Sequence, residues 1–113
     1  MSLVFKIVSA AEWKEATRAG AFRGSAIDLK DGFIHLSAAA QLAETAARHF
    51  AGRDGLVLVA FDDTALANLK WEASRGGALF PHVHGVLQAA KALWVSELPW
   101  ADGAHQFPPG VIS

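Results

Sequence analysis

The sequence predicts an α+β domain in which two helices pack on a mixed, mostly antiparallel sheet. Its segments follow the order strand, helix, strand, helix and then several strands, which is typical of α+β architectures. Residues 56–61 (LVLVAF) are apolar on both faces, and this pattern indicates a central strand. Hydrophobic residues make up 52% of the 113 residues, which is enough for one core and predicts a single domain spanning residues 1–113.

The first two elements are predicted to be a strand and a capped helix. Residues 3–8 form a short apolar strand. Ser9 and Glu12 have the spacing of a capping box, in which each side chain bonds a backbone amide at the start of a helix. Trp13 lies on the buried face of this helix, and Gly20 predicts its end.

Residues 31–37 (DGFIHLS) combine a turn, a buried strand and the start of a second helix. The Asp-Gly pair is a turn signal, and residues 28–32 are predicted to form a polar connection. Ser37 is predicted to cap a helix that runs to about Phe50. His35 is therefore a titratable ring within a segment that otherwise has the character of core.

The remaining strands are shorter, and a tail follows them. Residues 69–72 predict a strand with alternating faces, and residues 92–98 predict the last strand. The core is expected to cover residues 3–98. Residues 99–113 contain three of the four prolines and are predicted to be a poorly specified tail.

Composition argues against several classes of function. The chain has 10 basic and 11 acidic residues, so its net charge of −1 argues against nucleic-acid binding through the phosphate backbone. The absence of cysteine excludes disulfides and thiolate metal sites. No secretory signal and no apolar run of membrane-spanning length is present, so we expect a cytoplasmic protein without membrane contact.

Two interpretations of His35 follow from its surroundings. A buried histidine is commonly hydrogen-bonded to backbone and purely structural. If the strand continues, His35 and Ser37 point to the same face, where an imidazole and a hydroxyl could hold one polar ligand. The hydroxyl of Ser37 is also the predicted helix cap, so the two roles compete for one group.

Two later segments carry the candidate partners of His35. Glu72 points either to solvent or into a site, and Trp71 is either core or a stacking surface. His82 and His84 share a face if their segment is extended. Together with His35 and Glu72 they make a ligand set that occurs in zinc, iron and nickel sites; the alternative is one buried and one exposed histidine.

Three further residues are candidates of less specific character. Arg75 precedes two glycines, and its guanidinium and the following amides could bind an anion, although a plain β-turn explains the same residues. His49 and His105 are predicted to be ordinary surface or cap residues.

Several motifs in the order found here resemble the domain of unknown function 952 family, which consists of small bacterial proteins. The resemblance extends from about residue 4 to about residue 98, and His84 stands where relatives commonly have tyrosine. It is carried by residues 31–37, 69–72 (LKWE) and 80–85 (FPHVHG), together with Trp13, Gln41 and Thr45.

This family is grouped with the ADP-ribosyltransferase-like superfamily, so the resemblance implies an ADP-ribosyltransferase-like fold with NAD as a substrate. It implies that His35 binds ribose hydroxyls and that Ser37 holds the nicotinamide amide. Glu72, or alternatively Glu97, would stabilise the oxocarbenium ion. Leu36 replaces a glycine of the family pattern, which changes what the strand can present to a ligand.

The expected function is therefore binding of NAD or a related nucleotide and transfer or hydrolysis of ADP-ribose, without a bound metal. The alternatives are a metal-dependent enzyme with a His/Glu site and a non-catalytic ligand-binding domain. The acceptor and the oligomeric state stay open. The residues implied in catalysis are His35 and Glu72, and those implied in ligand binding are His35, Ser37, Trp71, Arg75, His82 and His84.

Overall fold

The computed structural model describes residues 2–111 as an α+β fold with three helices. The helices are α1 (Ala10–Ala19), α2 (Ala26–Asp31) and α3 (Leu42–His49). The longer strands are β1 (Leu3–Ser9), β5 (Leu56–Asp62), β6 (Leu69–Ala73), β7 (Leu79–Val83) and β9 (Trp94–Leu98). Two-residue strands are β2 (Ala21–Phe22), β3 (Ile34–His35), β4 (Ser37–Ala38), β8 (Leu87–Gln88), β10 (Trp100–Ala101) and β11 (Ala104–His105). Within this range, no helix has the length and apolar character needed to span a bilayer.

Two antiparallel sheets meet at the segment that carries His35. The larger sheet has the order β4-β1-β5-β9, so β5 is internal as predicted, and the smaller has the order β3-β7-β6. β3 pairs with β7 and β4 pairs with β1, and between them the Leu36 amide donates to the Pro81 carbonyl at 2.9 Å. The chain therefore passes from one sheet to the other at Leu36, which places His35 at the junction.

Helices α1 and α3 cover opposite faces of the larger sheet, because successive residues of a strand point to opposite sides. Val4 and Val8 of β1 belong to the apolar cluster that contains Trp13 of α1. Phe5 lies in the second cluster, with Leu42 of α3. The alternation in β1 and β5 thus builds two cores from one sheet.

The predicted polar connection at residues 28–32 is wrong, because most of it belongs to α2. Ser25 precedes the helix as its N-cap, and its amide donates to the Asp28 carboxylate at 2.9 Å. Gly32 ends the helix with φ of +86°, a conformation that glycine adopts at little cost. The fold therefore has a third helix that the sequence interpretation missed.

Ser37 does not cap the second predicted helix. It lies in β4 opposite Phe5, and its hydroxyl donates to Thr45 Oγ1 at 3.2 Å. The chain enters α3 through a 3₁₀ turn at Ala39–Gln41, where the Gln41 side chain accepts from the Ala38 amide at 2.9 Å. A glutamine thus makes the contact that the serine was predicted to make, and the Ser37 hydroxyl is oriented by α3 instead.

The predicted tail is structured over residues 99–111, and residues 112 and 113 lie outside the described range. β10 and β11 form a hairpin, and Phe107 packs on the core beside α3. His105 is buried and its Nε2 lies 2.8 Å from the Arg53 carbonyl, so the prediction of an ordinary surface or cap residue is wrong.

We expect Ser9→Ala to lower the free energy of unfolding by about 1 kcal/mol, because the first turn of α1 loses its cap. Ser9 Oγ accepts from the Glu12 amide at 3.0 Å and donates to the Glu12 carboxylate at 2.9 Å. Urea denaturation followed by tryptophan fluorescence measures the change. Thr17→Ala, on the exposed face of the same helix, is the matched control. A loss as small as that of the control would contradict a capping role.

Candidate functional site

Lys6 is a charged residue inside an otherwise apolar strand. Its side chain points to the same face of β1 as those of Val4 and Val8, so it enters the core on the α1 side of the sheet. The residue is only 5% exposed. Burial lowers the pKa of Lys6, and the charge of Asp28 opposes that shift. Nζ lies 2.9 Å from Asp28 Oδ2 and donates to the His35 carbonyl at 3.0 Å. A buried ion pair therefore lies directly behind the His35 backbone.

Asp28 connects this ion pair to the ring of His35. Its Oδ1 accepts from the His35 amide at 3.1 Å and lies 2.6 Å from His35 Nδ1, while Oδ2 accepts from Lys6 and from the Ser25 amide. Burial by itself would raise the pKa of Asp28, but the hydrogen bond from His35 and the charge of Lys6 hold it well below its ordinary value. Asp28 is therefore an ionised, buried carboxylate that fixes the orientation of the imidazole.

The other nitrogen of the His35 ring faces a second carboxylate. His35 Nε2 lies 2.9 Å from Asp31 Oδ2, at the end of α2. The Asp31 side chain is 40% exposed, whereas that of Asp28 is 1% exposed. One aspartate thus holds the ring from the core, and the other contacts it from the solvent side.

A second acid–imidazole group lies on the neighbouring strands. Glu72 Oε1 lies 2.8 Å from His82 Nδ1 and 2.7 Å from His84 Nε2, so both histidines contact the same carboxylate. His82 is buried and His84 is exposed, as the alternative interpretation predicted. Hydrogen bonds from His84 and then His82 lower the pKa of Glu72. β3 and β7 pair His35 directly with His82, and this register brings the two groups together.

Phe33 packs between the two groups. Its ring centroid lies 4.7 Å from that of His35, 4.2 Å from that of His82 and 5.2 Å from that of His84. The rings of His35 and His82 are edge-on at 5.4 Å. The structure therefore gathers the rings of His35, His82 and His84 around one aromatic side chain, and Glu72 joins them through its contacts with His82 and His84.

A cavity of about 560 Å³ opens beside this cluster, within the size range of small-molecule sites. Its apolar walls come from β1 and from aromatic side chains such as Phe50 and Phe80. Glu72, His84 and Trp71 do not line it. The polar side chains on its walls are Lys6, Glu12, Ser25, Asp31, His35, Ser37, Thr45, His49, Arg53, Ser74 and His82.

Trp71 does not line the cavity, and Arg75 is described only by its backbone. Trp71 pairs with Pro81, whereas Glu72 pairs with Phe80, so Trp71 points to the opposite face of the hairpin and is 39% exposed. The backbone of Arg75 lies in a 3₁₀ turn, Arg75–Gly77, and its side chain is outside the described residues. Glu97 is an exposed residue of the edge strand β9 and does not line the cavity either.

The metal-site alternative finds no support in the geometry of residues 2–111. No group of three or more histidine, aspartate or glutamate side chains in this range is arranged to hold a metal ion. The short contacts of Glu72 with His82 and His84 are hydrogen bonds between side chains.

Sequence reasoning missed Lys6, Asp28 and Asp31 as partners of His35. One signal was available: a lysine between Val4 and Val8 on one strand face requires a buried counter-charge. The Ser25–Asp28 spacing of a capping box also marks the helix that carries both aspartates.

The chain matches the model of a family described as "Protein of unknown function (DUF952)" over residues 7–95. It is also similar to solved structures of protein CC0527 from Caulobacter crescentus. The crystal structure has 50% identity and a TM-score of 0.88, and the match covers 93% of this chain and 94% of that chain. The solution NMR structure has 51% identity and a TM-score of 0.83, with 94% and 93% covered. No curated protein matches.

Proposed function

The chain belongs to the DUF952 family, and from that premise we propose that it binds NAD or a related nucleotide in the cavity beside His35 and transfers or hydrolyses ADP-ribose. The observation that carries the proposal is the fixed orientation of His35 on the cavity wall. A buried carboxylate holds Nδ1 at 2.6 Å, and the Ser37 hydroxyl lines the same cavity. Pre-oriented polar groups in a partly apolar cavity are typical of ligand sites.

The cavity also suits a ligand with flat rings and several hydroxyl groups. Phe50 and Phe80 offer aromatic surface, and Ser37 and Thr45 offer hydroxyls. Arg53 supplies a permanent positive charge, and its guanidinium carbon lies 5.2 Å from the centre of the Phe50 ring. These groups match a base, a ribose and a phosphate in chemical character.

The proposed reaction breaks the bond between the nicotinamide nitrogen and the anomeric carbon of the ribose. The electron pair leaves with neutral nicotinamide, and the ribose becomes an oxocarbenium ion. A hydroxyl of an acceptor, or water, adds to that carbon and loses its proton. When the neutral His82 ring donates through Nδ1 to Glu72, its Nε2 can accept this proton. In this proposal Glu72 acts by positioning His82.

The proposal is tested by titrating NAD and ADP-ribose into the protein by calorimetry and by ¹H–¹⁵N NMR. We expect saturable binding that His35→Gln weakens by about tenfold or more, since a charge-assisted contact is lost. Trp71→Ala serves as the control, because the ring lies on the opposite face of the same hairpin. Thermal unfolding of each variant checks that the fold persists.

The outcomes separate binding from turnover. Nicotinamide release in the wild type, absent in His82→Gln, supports the reaction. Binding without nicotinamide release means that the domain is a non-catalytic binder, an alternative favoured by the double hydrogen bonding of Glu72. Absence of any chemical-shift change at millimolar NAD and ADP-ribose would overturn the proposed function.

A further inference from the structure

His35 lies between two carboxylates in the unliganded protein, one at each ring nitrogen. Asp28 Oδ1 is 2.6 Å from Nδ1, and Asp31 Oδ2 is 2.9 Å from Nε2. A carboxylate only accepts hydrogen bonds, and a neutral imidazole donates from one nitrogen only. Both contacts are hydrogen bonds when the ring carries two protons and a positive charge.

Lys6, His35 and Asp28 together then carry one net positive charge, which the Asp31 carboxylate neutralises. With the doubly protonated ring, Lys6 and His35 are positive and Asp28 is negative, and the three are joined by contacts of 3.1 Å or less. Glu72 lies on β6 and contacts His82 and His84 instead. Without Asp31, the three joined groups would carry one net positive charge, and a further carboxylate on the cavity wall, that of Glu12, acts on Lys6.

Asp31 is the most exposed member of this group, so a ligand can reach its contact with His35 from solvent. Its side chain is 40% exposed, and it is the last residue of α2, where the helix dipole does not favour negative charge. Asp31 and His35 both line the cavity. An exposed ion pair of this kind is weak, so an anion from solution can compete with the carboxylate.

We propose that His35 Nε2 marks an oxyanion site, that Asp31 occupies it when no ligand is bound, and that a ligand places a phosphate there. A phosphate brings the negative charge and the acceptor oxygens that the Asp31 carboxylate supplies. This inference deepens the proposed function and relies on it for the nucleotide. It assigns a phosphate to His35, where the family resemblance implies ribose hydroxyls.

Inorganic phosphate and pyrophosphate are the probes, titrated at pH 7 and constant ionic strength and followed by NMR of the backbone and imidazole nitrogens. Asp31→Asn keeps the shape of the side chain and removes its charge. We expect this variant to bind phosphate about three- to fivefold more tightly than the wild type, the gain that loss of one exposed competing ion pair provides. His35→Gln should bind it about tenfold more weakly or not measurably.

Asp102→Asn is the matched control. It removes the same single negative charge in the turn between β10 and β11, and should leave phosphate affinity within about twofold of the wild type. An equal gain in Asp102→Asn would mean that net charge alone attracts phosphate, and the inference would fall.

Other results also overturn the inference. These are the absence of a gain in Asp31→Asn, normal phosphate binding by His35→Gln, and imidazole ¹⁵N shifts of the free wild type that show a neutral ring. If both variants bind phosphate with the affinity of the wild type while ADP-ribose binding still depends on His35, the inference falls and the proposed function stands. If neither probe depends on His35, both fall.

Discussion

Replacing Lys6 with methionine is expected to lower the free energy of unfolding by about 3–5 kcal/mol. Asp28 is only 2% exposed, and its carboxylate lies 2.9 Å from Lys6 Nζ. Methionine preserves the length of the side chain but removes one cationic partner of a buried carboxylate. The stranded charge, rather than the lost attraction, accounts for most of the expected loss. Urea denaturation at pH 7 followed by tryptophan fluorescence measures it.

The double variant Lys6→Met with Asp28→Asn is the internal control for this interpretation. It removes both charges and keeps an acceptor for the Ser25 amide, so we expect it to lose less stability than the sum of the two single variants. Lys70→Met, on an exposed lysine, controls for the substitution itself and should be near neutral. Additive losses in the double variant would show that Lys6 and Asp28 act independently.

The parts of the fold that local sequence determines were predictable. The N-cap at Ser9 and the internal position of residues 56–61 depend on neighbouring residues only, and both are confirmed, although the Glu12 carboxylate bonds the Ser9 hydroxyl and not the Ser9 amide. The short helix α2 was missed because Asp28, Asp31 and Gly32 were taken as turn residues, although they equally suit the end of a capped helix. Local polarity alone does not distinguish these two cases.

The site depends on pairings between distant segments, which a single sequence does not reveal. Lys6 and Asp28 are 22 residues apart, and nothing in the strand around Lys6 indicates which carboxylate neutralises it. The gathering of His35, His82 and Glu72 requires the register of β3, β7 and β6. The same register turns Trp71 away, although its neighbour Glu72 joins the cluster.

The change of strand partner at Leu36 explains why Ser37 was misassigned. A serine before a run of alanines favours a helix cap, but pairing with β1 extends the chain by two further residues. Tertiary pairing thus overrides the local preference and leaves the Ser37 hydroxyl to Thr45 and the cavity. Ser37 therefore lines the cavity because of its strand pairing, which the sequence alone does not show.

Acid is expected to destabilise the wild type by about 2–2.5 kcal/mol between pH 7 and pH 2 through Asp28 alone. The pKa of Asp28 is held well below its ordinary value in the fold, so the unfolded chain takes up the proton first as pH falls. The stabilisation is complete above the ordinary aspartate pKa of about 4 and is lost as pH falls from there toward the folded pKa.

Asp28→Asn removes this linkage, so its free energy of unfolding should depend less steeply on pH below about pH 4, even though the variant is less stable at pH 7. Urea denaturation at half-unit pH intervals gives the two slopes. Glu72→Gln should flatten the profile less, because Glu72 is more exposed although its pKa is also lowered by His84 and His82. Parallel profiles for wild type and Asp28→Asn would mean that the carboxylate has no depressed pKa in the fold. The contact with Lys6 and His35 would then be too weak to orient the ring, and the site would lose its fixed imidazole.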